Sequence, residues 1–215
     1  LEELNPVDIA EALEGLSMRD TALVYRILPK EKAAEVFVEL DSEKQQKLIE
    51  IFSDKELRET VNELYVDDTV DIIGEMPATV VAKILKNASP DMRRMINEIL
   101  LYPEDSAGGI MTPEYVSLKR NFTVEEAFEK IRREGVDKET VYTCYVTENR
   151  KLVGIVTVKS MLLSTIDTKI EDIMIQHVIS VYTHDDKEKA AEMIGKYGLL
   201  ALPVVDTENR LVGIV

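Results

Sequence analysis

The run Asp67-Asp68-Thr69-Val70-Asp71 places three carboxylates within five residues. On a helix, Asp67 and Asp71 stand at i and i+4, stacked on one face, where like charges cost about 0.2–0.5 kcal/mol. Capping a helix and complementing its positive end accounts for Asp67 and Asp68. It does not account for Asp71. A second pair, Asp186 and Glu188, opens another helical stretch and reads there as ordinary helix-start acids.

Other chemically capable side chains lead nowhere. His177 and His184 are isolated, with no cysteine or second histidine at ligand spacing, and fall in loops. Cys144, the one cysteine, sits in the middle of an apolar strand and reads as a small core residue. It excludes an internal disulfide and any multi-cysteine metal site. The eight methionines are scattered among apolar positions and read as packing. No nucleophile-base set and no glycine-rich phosphate loop is present, so no enzyme is expected.

Charge narrows the partners. The chain carries 41 acids against 26 bases, a formal net charge of −15. Residues 1–102 hold 22 acids and 12 bases, and residues 103–215 hold 19 and 14. Both parts repel phosphate backbones and anionic membranes, so no nucleic acid is expected as a partner. Cations or a basic protein surface suit them better. No apolar run reaches the 18 or so residues needed to span a bilayer. The sequence starts at Leu1 without methionine and stops inside the apolar Leu211-Val212-Gly213-Ile214-Val215, which reads as a fragment of a longer protein.

The elements that must position these acids come in two textures. Residues 4–100 repeat every 12 residues. One column reads Leu4, Leu16, Leu28, Leu40, Phe52, Leu64, Met76, Ala88, Leu100; a second Leu13, Tyr25, Phe37, Ile49, Val61, Ile73, Leu85; a third Ala12, Val24, Val36, Leu48, Thr60, Ile72, Ile84, Ile96. Within each unit these stand at i, i+1 and i+4, one face of a helix. Each unit is predicted to be a helix of about two turns and a tight turn, stacked with its neighbours into a superhelical, HEAT-like domain. Ser42 with Gln45 and Ser53 with Glu56 fit capping boxes, Ser89 fits an N-cap, and Pro6, Pro29, Pro77 and Pro90 suit first turns. Alone, such an array reads as a helical-repeat protein-interaction scaffold.

Beyond Tyr102 the pattern becomes α/β and repeats itself. Pro103-Glu104-Asp105-Ser106-Ala107-Gly108-Gly109 reads as a hinge-like linker over 103–110. Met111 to Ala127 aligns with Met174 to Ala190, and Glu148-Asn149-Arg150 returns as Glu208-Asn209-Arg210. Each copy predicts a short strand (116–118; 179–181), a helix (124–134; 187–197) and a hairpin (142–147 with 152–157; 201–206 with 211–215) closed by the Glu-Asn-Arg turn. This order resembles the cystathionine-β-synthase (CBS) domain, in tandem: 111–170, and 171–215 incomplete at its end. Many CBS pairs bind adenine nucleotides, with an aspartate three residues after a Ser or Thr. Here Thr157-Val158-Lys159-Ser160 ends in serine, so the visible half-site for ATP or AMP lacks its carboxylate, while Lys159 is placed to neutralise a phosphate.

The helical array, the run Asp105-Ser106-Ala107-Gly108-Gly109-Ile110-Met111-Thr112-Pro113-Glu114-Tyr115-Val116 and two CBS modules together resemble the cytoplasmic half of the MgtE magnesium-transporter family. Leu28-Pro29-Lys30 and Ala33-Ala34-Glu35-Val36 resemble its helical domain. The resemblance covers essentially the whole chain. It implies a homodimer formed through CBS modules, attached to a transmembrane domain of the same protein at the cytoplasmic face. Mg²⁺ would bridge the helical and CBS domains and favour a closed pore, and the domains would swing apart about Gly108-Gly109 when it is scarce. By the same resemblance Glu35, Asp67, Asp71, Asp186 and Glu188 are ligand positions, with the Gly109 carbonyl added and further ligands past Val215. Gly198 departs from the pattern, where relatives carry an acid. The physics agrees: cations relieve the repulsion of two acidic domains, and Mg²⁺, keeping much of its water, needs no dedicated cage. Adenine-nucleotide sensing and the interaction scaffold are the alternatives.

Overall fold

The computed structural model describes residues 3–215 and divides into two compact units, 1–97 and 98–215. Eight helices build the first unit among the described residues: α1 (Pro6–Glu14), α2 (Met18–Ile27), α3 (Lys30–Val38), α4 (Ser42–Ile51), α5 (Asp54–Val61), α6 (Val66–Glu75), α7 (Ala78–Asn87) and α8 (Pro90–Ile99). Every one begins 12 residues after the last, at the period of the apolar columns. The second column is buried at Leu13, Tyr25, Phe37, Ile49, Val61 and Ile73. Tyr25 anchors the aromatic centre, with Phe52 at 5.2 Å and Phe37 at 6.1 Å between ring centroids.

The first column behaves differently from expectation. Leu28, Phe52, Met76 and Ala88 are C-cap residues in extended backbone, and they fill the core from the connecting turns rather than from a helix face. Toward the ends of the column, Leu4, Leu16 and Leu100 are exposed. The sequence columns also omit a buried position, the fourth helical residue: Ile9, Thr21, Ala33, Gln45, Leu57 and Thr69.

Start signals are partly corrected. Ser53 and Glu56 form the reciprocal capping box. Asp41, not Ser42, caps α4, accepting from the Lys44 amide at 2.7 Å. Gln45 is instead buried and donates to the Phe37 carbonyl at 2.9 Å, satisfying an end of α3. Pro6 and Pro90 are first helical residues, whereas Pro29 and Pro77 stand one place earlier, at the N-cap.

The second unit holds two three-stranded sheets. In the first, β1 (Tyr115–Lys119) pairs parallel with β2 (Thr140–Glu148), which pairs antiparallel with β3 (Lys151–Thr157). In the second, β4 (Val181–Tyr182) pairs parallel with β5 (Pro203–Val205), which pairs antiparallel with β6 (Leu211–Ile214). α9 (Val124–Glu134) and α12 (Lys187–Tyr197) cross over between the parallel strands. α10 (Val158–Leu162) and α11 (Ile170–Ile173) follow β3. The strand expected at 179–181 begins two residues later. Asn149 and Arg150 alone close the first hairpin, both with positive φ (51° and 68°), the left-handed pair that a two-residue turn demands. The second hairpin needs a longer loop, Asp206 to Arg210, with only Asn209 at positive φ.

The two modules exchange their leading segments. Met111, ahead of the first, packs on Gly213 of the second hairpin, where an added Cβ would lie 2.6 Å from its sulfur. Met174, ahead of the second, packs on Gly154 of the first hairpin, with the corresponding distance 2.7 Å. β-Bridges accompany both exchanges, Thr112 with Ile214 and Ile175 with Ile155. Tyr145, Leu152, Val205, Leu211 and Ile214 form the shared core.

Candidate functional site

In the helical unit, α6 carries the acidic run. Val66, Thr69, Ile72 and Ile73 are buried and fix which side of the helix faces inward. Tyr65 is the N-cap and makes no side-chain cap, so Asp67 and Asp68 are second and third residues of the first turn rather than caps. There they complement the helix's positive end. Asp71 is exposed one turn on, stacked at i+4 from half-buried Asp67. Glu35, the sixth residue of α3, occupies the same place in the repeat as Asp71, the sixth of α6. It is exposed and pairs with Lys32 at 2.9 Å.

In the second unit, Asp186 caps α12, its Oδ1 accepting from the Glu188 amide at 2.8 Å, and both side chains are exposed. Lys187 between them reaches back to Asp105 at 2.5 Å. Gly198 ends the same helix with φ +61°, the left-handed geometry that favours glycine over an acid at this position.

The Gly108-Gly109 step, read from the sequence as a hinge, is tightly packed in this structure. The Ala107 amide donates to the Asp185 carbonyl at 2.7 Å and the Gly108 amide to the Thr183 carbonyl at 2.8 Å. Neither glycine has positive φ. A Cβ on Gly108 would lie 2.7 Å from the Tyr102 ring, and one on Gly109 2.3 Å from the Pro103 carbonyl oxygen. Both serve close packing. The run of turn-forming residues gave the signal of a link; the partners that lock it lie some 80 residues on and are invisible locally.

Glu35, Asp67 and Asp71 thus belong to one unit, and Gly109, Asp186 and Glu188 to the other. Among the described residues, no group of three or more histidine, cysteine, aspartate or glutamate side chains is gathered to hold a metal. The isolated candidates stand as expected of them. His177 is exposed; His184 Nδ1 lies 3.0 Å from Thr183 Oγ1, with its ring edge-on to Tyr102. Cys144 is fully buried, and burial pushes its thiol up to about 12. In the stretch read from the sequence against a nucleotide half-site, Thr157 caps α10 by accepting from the Ser160 amide at 3.1 Å, and the Ser160 hydroxyl donates to the Thr157 carbonyl at 2.8 Å.

Comparison with known proteins places both units. The model of the MgtE intracellular N domain matches residues 4–105, and that of the CBS domain matches residues 107–164 and 170–215. The magnesium transporter MgtE of Thermus thermophilus is 36% identical over 220 residues, covering all of this chain and 49% of its own length. That of Bacillus subtilis is 28% identical over 216 residues, with 48% of its length covered. The chain therefore spans about half the length of the curated relatives it matches. Among solved structures, the cytosolic domain of the Mg²⁺ channel MgtE in complex with ATP superposes with a TM-score of 0.93 at 35% identity, covering all of this chain and 88% of that one. The soluble part of a magnesium transporter gives 0.92 at 30% identity, covering 99% and 84%. The expected fold, a helical array followed by a CBS pair, is the observed one, and the family is not one of enzymes. By sequence along its whole length and by fold, the chain belongs to the MgtE family and corresponds to that family's regulatory cytosolic domain.

Proposed function

We propose that this chain senses Mg²⁺ for a magnesium transporter, with the ion bridging carboxylates of the helical and CBS units and favouring the closed state. The observation that carries the reading is the stacked pair Asp67 and Asp71 on α6, on a part of the chain with ten more acids than bases. The remainder carries five more acids than bases. Docking two such surfaces without a counter-ion is opposed by Coulomb repulsion. Glu35, Asp71, Asp186 and Glu188 are exposed carboxylates, the oxygen donors that a hard, strongly hydrated cation takes singly while keeping its waters. Among the described residues no three-carboxylate group is already assembled, so in this reading the site is completed only by docking and its affinity is weak. Carboxylates bind as anions, so the response would fade in acid.

The same reading makes the chain a homodimer through its CBS modules and a partner of its own transmembrane domain. Among the described residues no helix is long and apolar enough to cross a membrane. Calorimetry tests the ligand: Mg²⁺ should give saturable heat that is largely lost when Asp67 and Asp71 are both replaced by asparagine. Absence of any Mg²⁺ response would defeat the proposal. Sedimentation tests the assembly, where a monomer with and without Mg²⁺ contradicts it.

A second reading, adenine-nucleotide binding by the CBS pair, is favoured by the likeness to a structure solved with ATP. Against it, Ser160 stands where the ribose-binding carboxylate would be, and its hydroxyl is already used on the Thr157 carbonyl. ATP heat lost in Lys159→Ala would support this reading, and no ATP heat would exclude it.

A further inference from the structure

The chain entering the CBS unit is fastened to the loop that ends at Asp186 and to the first turn of α12, which carries Glu188. Three backbone hydrogen bonds tie it there: Ala107 to Asp185 at 2.7 Å, Gly108 to Thr183 at 2.8 Å, and the Lys187 amide to the Asp105 carbonyl at 2.9 Å. A β-bridge pairs Ser106 with Asp186. The Lys187 ammonium closes on the Asp105 carboxylate at 2.5 Å, and the Asp105 contact followed by the charges of Glu104 and Asp186 holds that ammonium's pKa above the ordinary lysine value. The Tyr102 ring packs edge-on to His184 and covers Gly108 so closely that no Cβ fits. Between the end of α8 at Ile99 and this packed tyrosine stand only Leu100 and Leu101, 46% and 83% exposed, in a single turn closed by the Tyr102 amide on the Ile99 carbonyl at 2.9 Å and the Leu101 amide on the Glu98 carbonyl at 3.4 Å.

We propose that residues 102–109 are a strap fixed to the β4–α12 loop, and that the pivot for any Mg²⁺-driven rearrangement of the helical unit is Leu100-Leu101. The inference rests on the proposed function for the motion itself and locates where the chain bends. It follows that the strap travels with Asp186 and Glu188. A cation held by those two carboxylates acts on a loop already joined to the connection, through Asp105 and Lys187, with no slack between. Asp105 and Lys187 are positioning residues in this account.

Amide hydrogen exchange on the full chain, with and without saturating Mg²⁺, tests it. The Ala107 and Gly108 amides are expected to exchange at least about a hundredfold more slowly than in a free chain in both conditions, with Leu101, held only by a long 3.4 Å bond to the Glu98 carbonyl, faster than either. Gly108→Ala should speed them by about tenfold or more, because the added carbon meets the Tyr102 ring. If that variant fails to fold, Asp105→Asn serves, expected to speed them several-fold while the helical unit's amides stay unchanged. Free-chain exchange at Ala107 and Gly108, or a change on adding Mg²⁺ greater than about tenfold, overturns the strap. A protein whose size ignores Mg²⁺ but whose strap amides remain slow defeats the proposed function and leaves the strap standing. Fast strap amides in a protein that still compacts do the reverse.

Discussion

The Nζ of Lys83 lies 2.6 Å from the carbonyl oxygen of Ile49 and also donates to the carbonyls of Phe52 at 2.8 Å and Glu50 at 3.2 Å. One ammonium from α7 thereby satisfies the orphan carbonyls at the C-terminal end of α4. Lys44 of α4 does the same for α1, donating to the Leu13 carbonyl at 2.8 Å. Helices of 8–10 residues are too short to persist alone, so such caps supplied from three helices away join the stack.

Lys83→Met keeps the aliphatic stem and removes the donor. It is expected to cost about 1–3 kcal/mol, the range for hydrogen bonds to a charged group at a helix end. For a chain of this length that lowers the melting temperature by about 2–4 °C per kcal/mol. Lys86→Met, which removes only the surface pair with Asp54, should leave the melting temperature unchanged. Equal losses in the two variants would refute the capping role.

Glu56 gives the helical unit a defined acid sensitivity. The Arg26 guanidinium at 2.6 Å, with the Ser53 hydroxyl and amide, holds its carboxyl at about 2, below the usual 4.5. A depressed folded-state value stabilises above the unfolded pKa, and that contribution is lost as pH falls from about 4.5 to about 2. Arg26 is 44% exposed, so solvent screening reduces the contribution to about 1 kcal/mol. Urea midpoints of wild type and Glu56→Gln should differ at neutral pH and converge near pH 2.5. A gap that widens in acid would reverse the assigned sign.

Cys144 should be chemically silent in the folded protein. With its thiol pushed up to about 12 by burial, almost no thiolate exists at neutral pH and no reagent reaches it. A disulfide reagent is expected to titrate one thiol after denaturation and essentially none before. Fast reaction without denaturant would mean that the first CBS core opens readily.

Much of this fold was legible because its sequence repeats. A 12-residue period put every helix start on one grid, and an internal α/β repeat delimited α9 and α12 to the residue. What stayed hidden involves partners distant in sequence. The buried fourth helical position alternates polar with apolar residues, Gln45 and Thr69 donating to the Phe37 and Tyr65 carbonyls while the Thr21 hydroxyl is simply buried, so hydrophobicity alone passes over it. Gly108 looked like freedom and is compactness, because the Tyr102 ring and the Thr183 carbonyl fill the space of its missing Cβ. Met111 and Met174 aligned as equivalent residues, yet nothing in that alignment shows that each crosses to the other module's glycine. Of the candidate ligands, the i and i+4 stacking of Asp67 and Asp71 was readable from spacing, whereas their place inside the first turns, not at the cap, was not.

Small-angle scattering across a Mg²⁺ titration tests the central claim, that carboxylates of both units share the ion. In the wild type the radius of gyration should fall cooperatively at Mg²⁺ on the order of millimolar, as suits open, hydrated carboxylate sites. The variant carrying both Asp67→Asn and Asp71→Asn loses two negative charges, so it should be partly compact without Mg²⁺ and respond little to it. A wild-type radius that ignores Mg²⁺, or a double variant that titrates like wild type, would contradict the account.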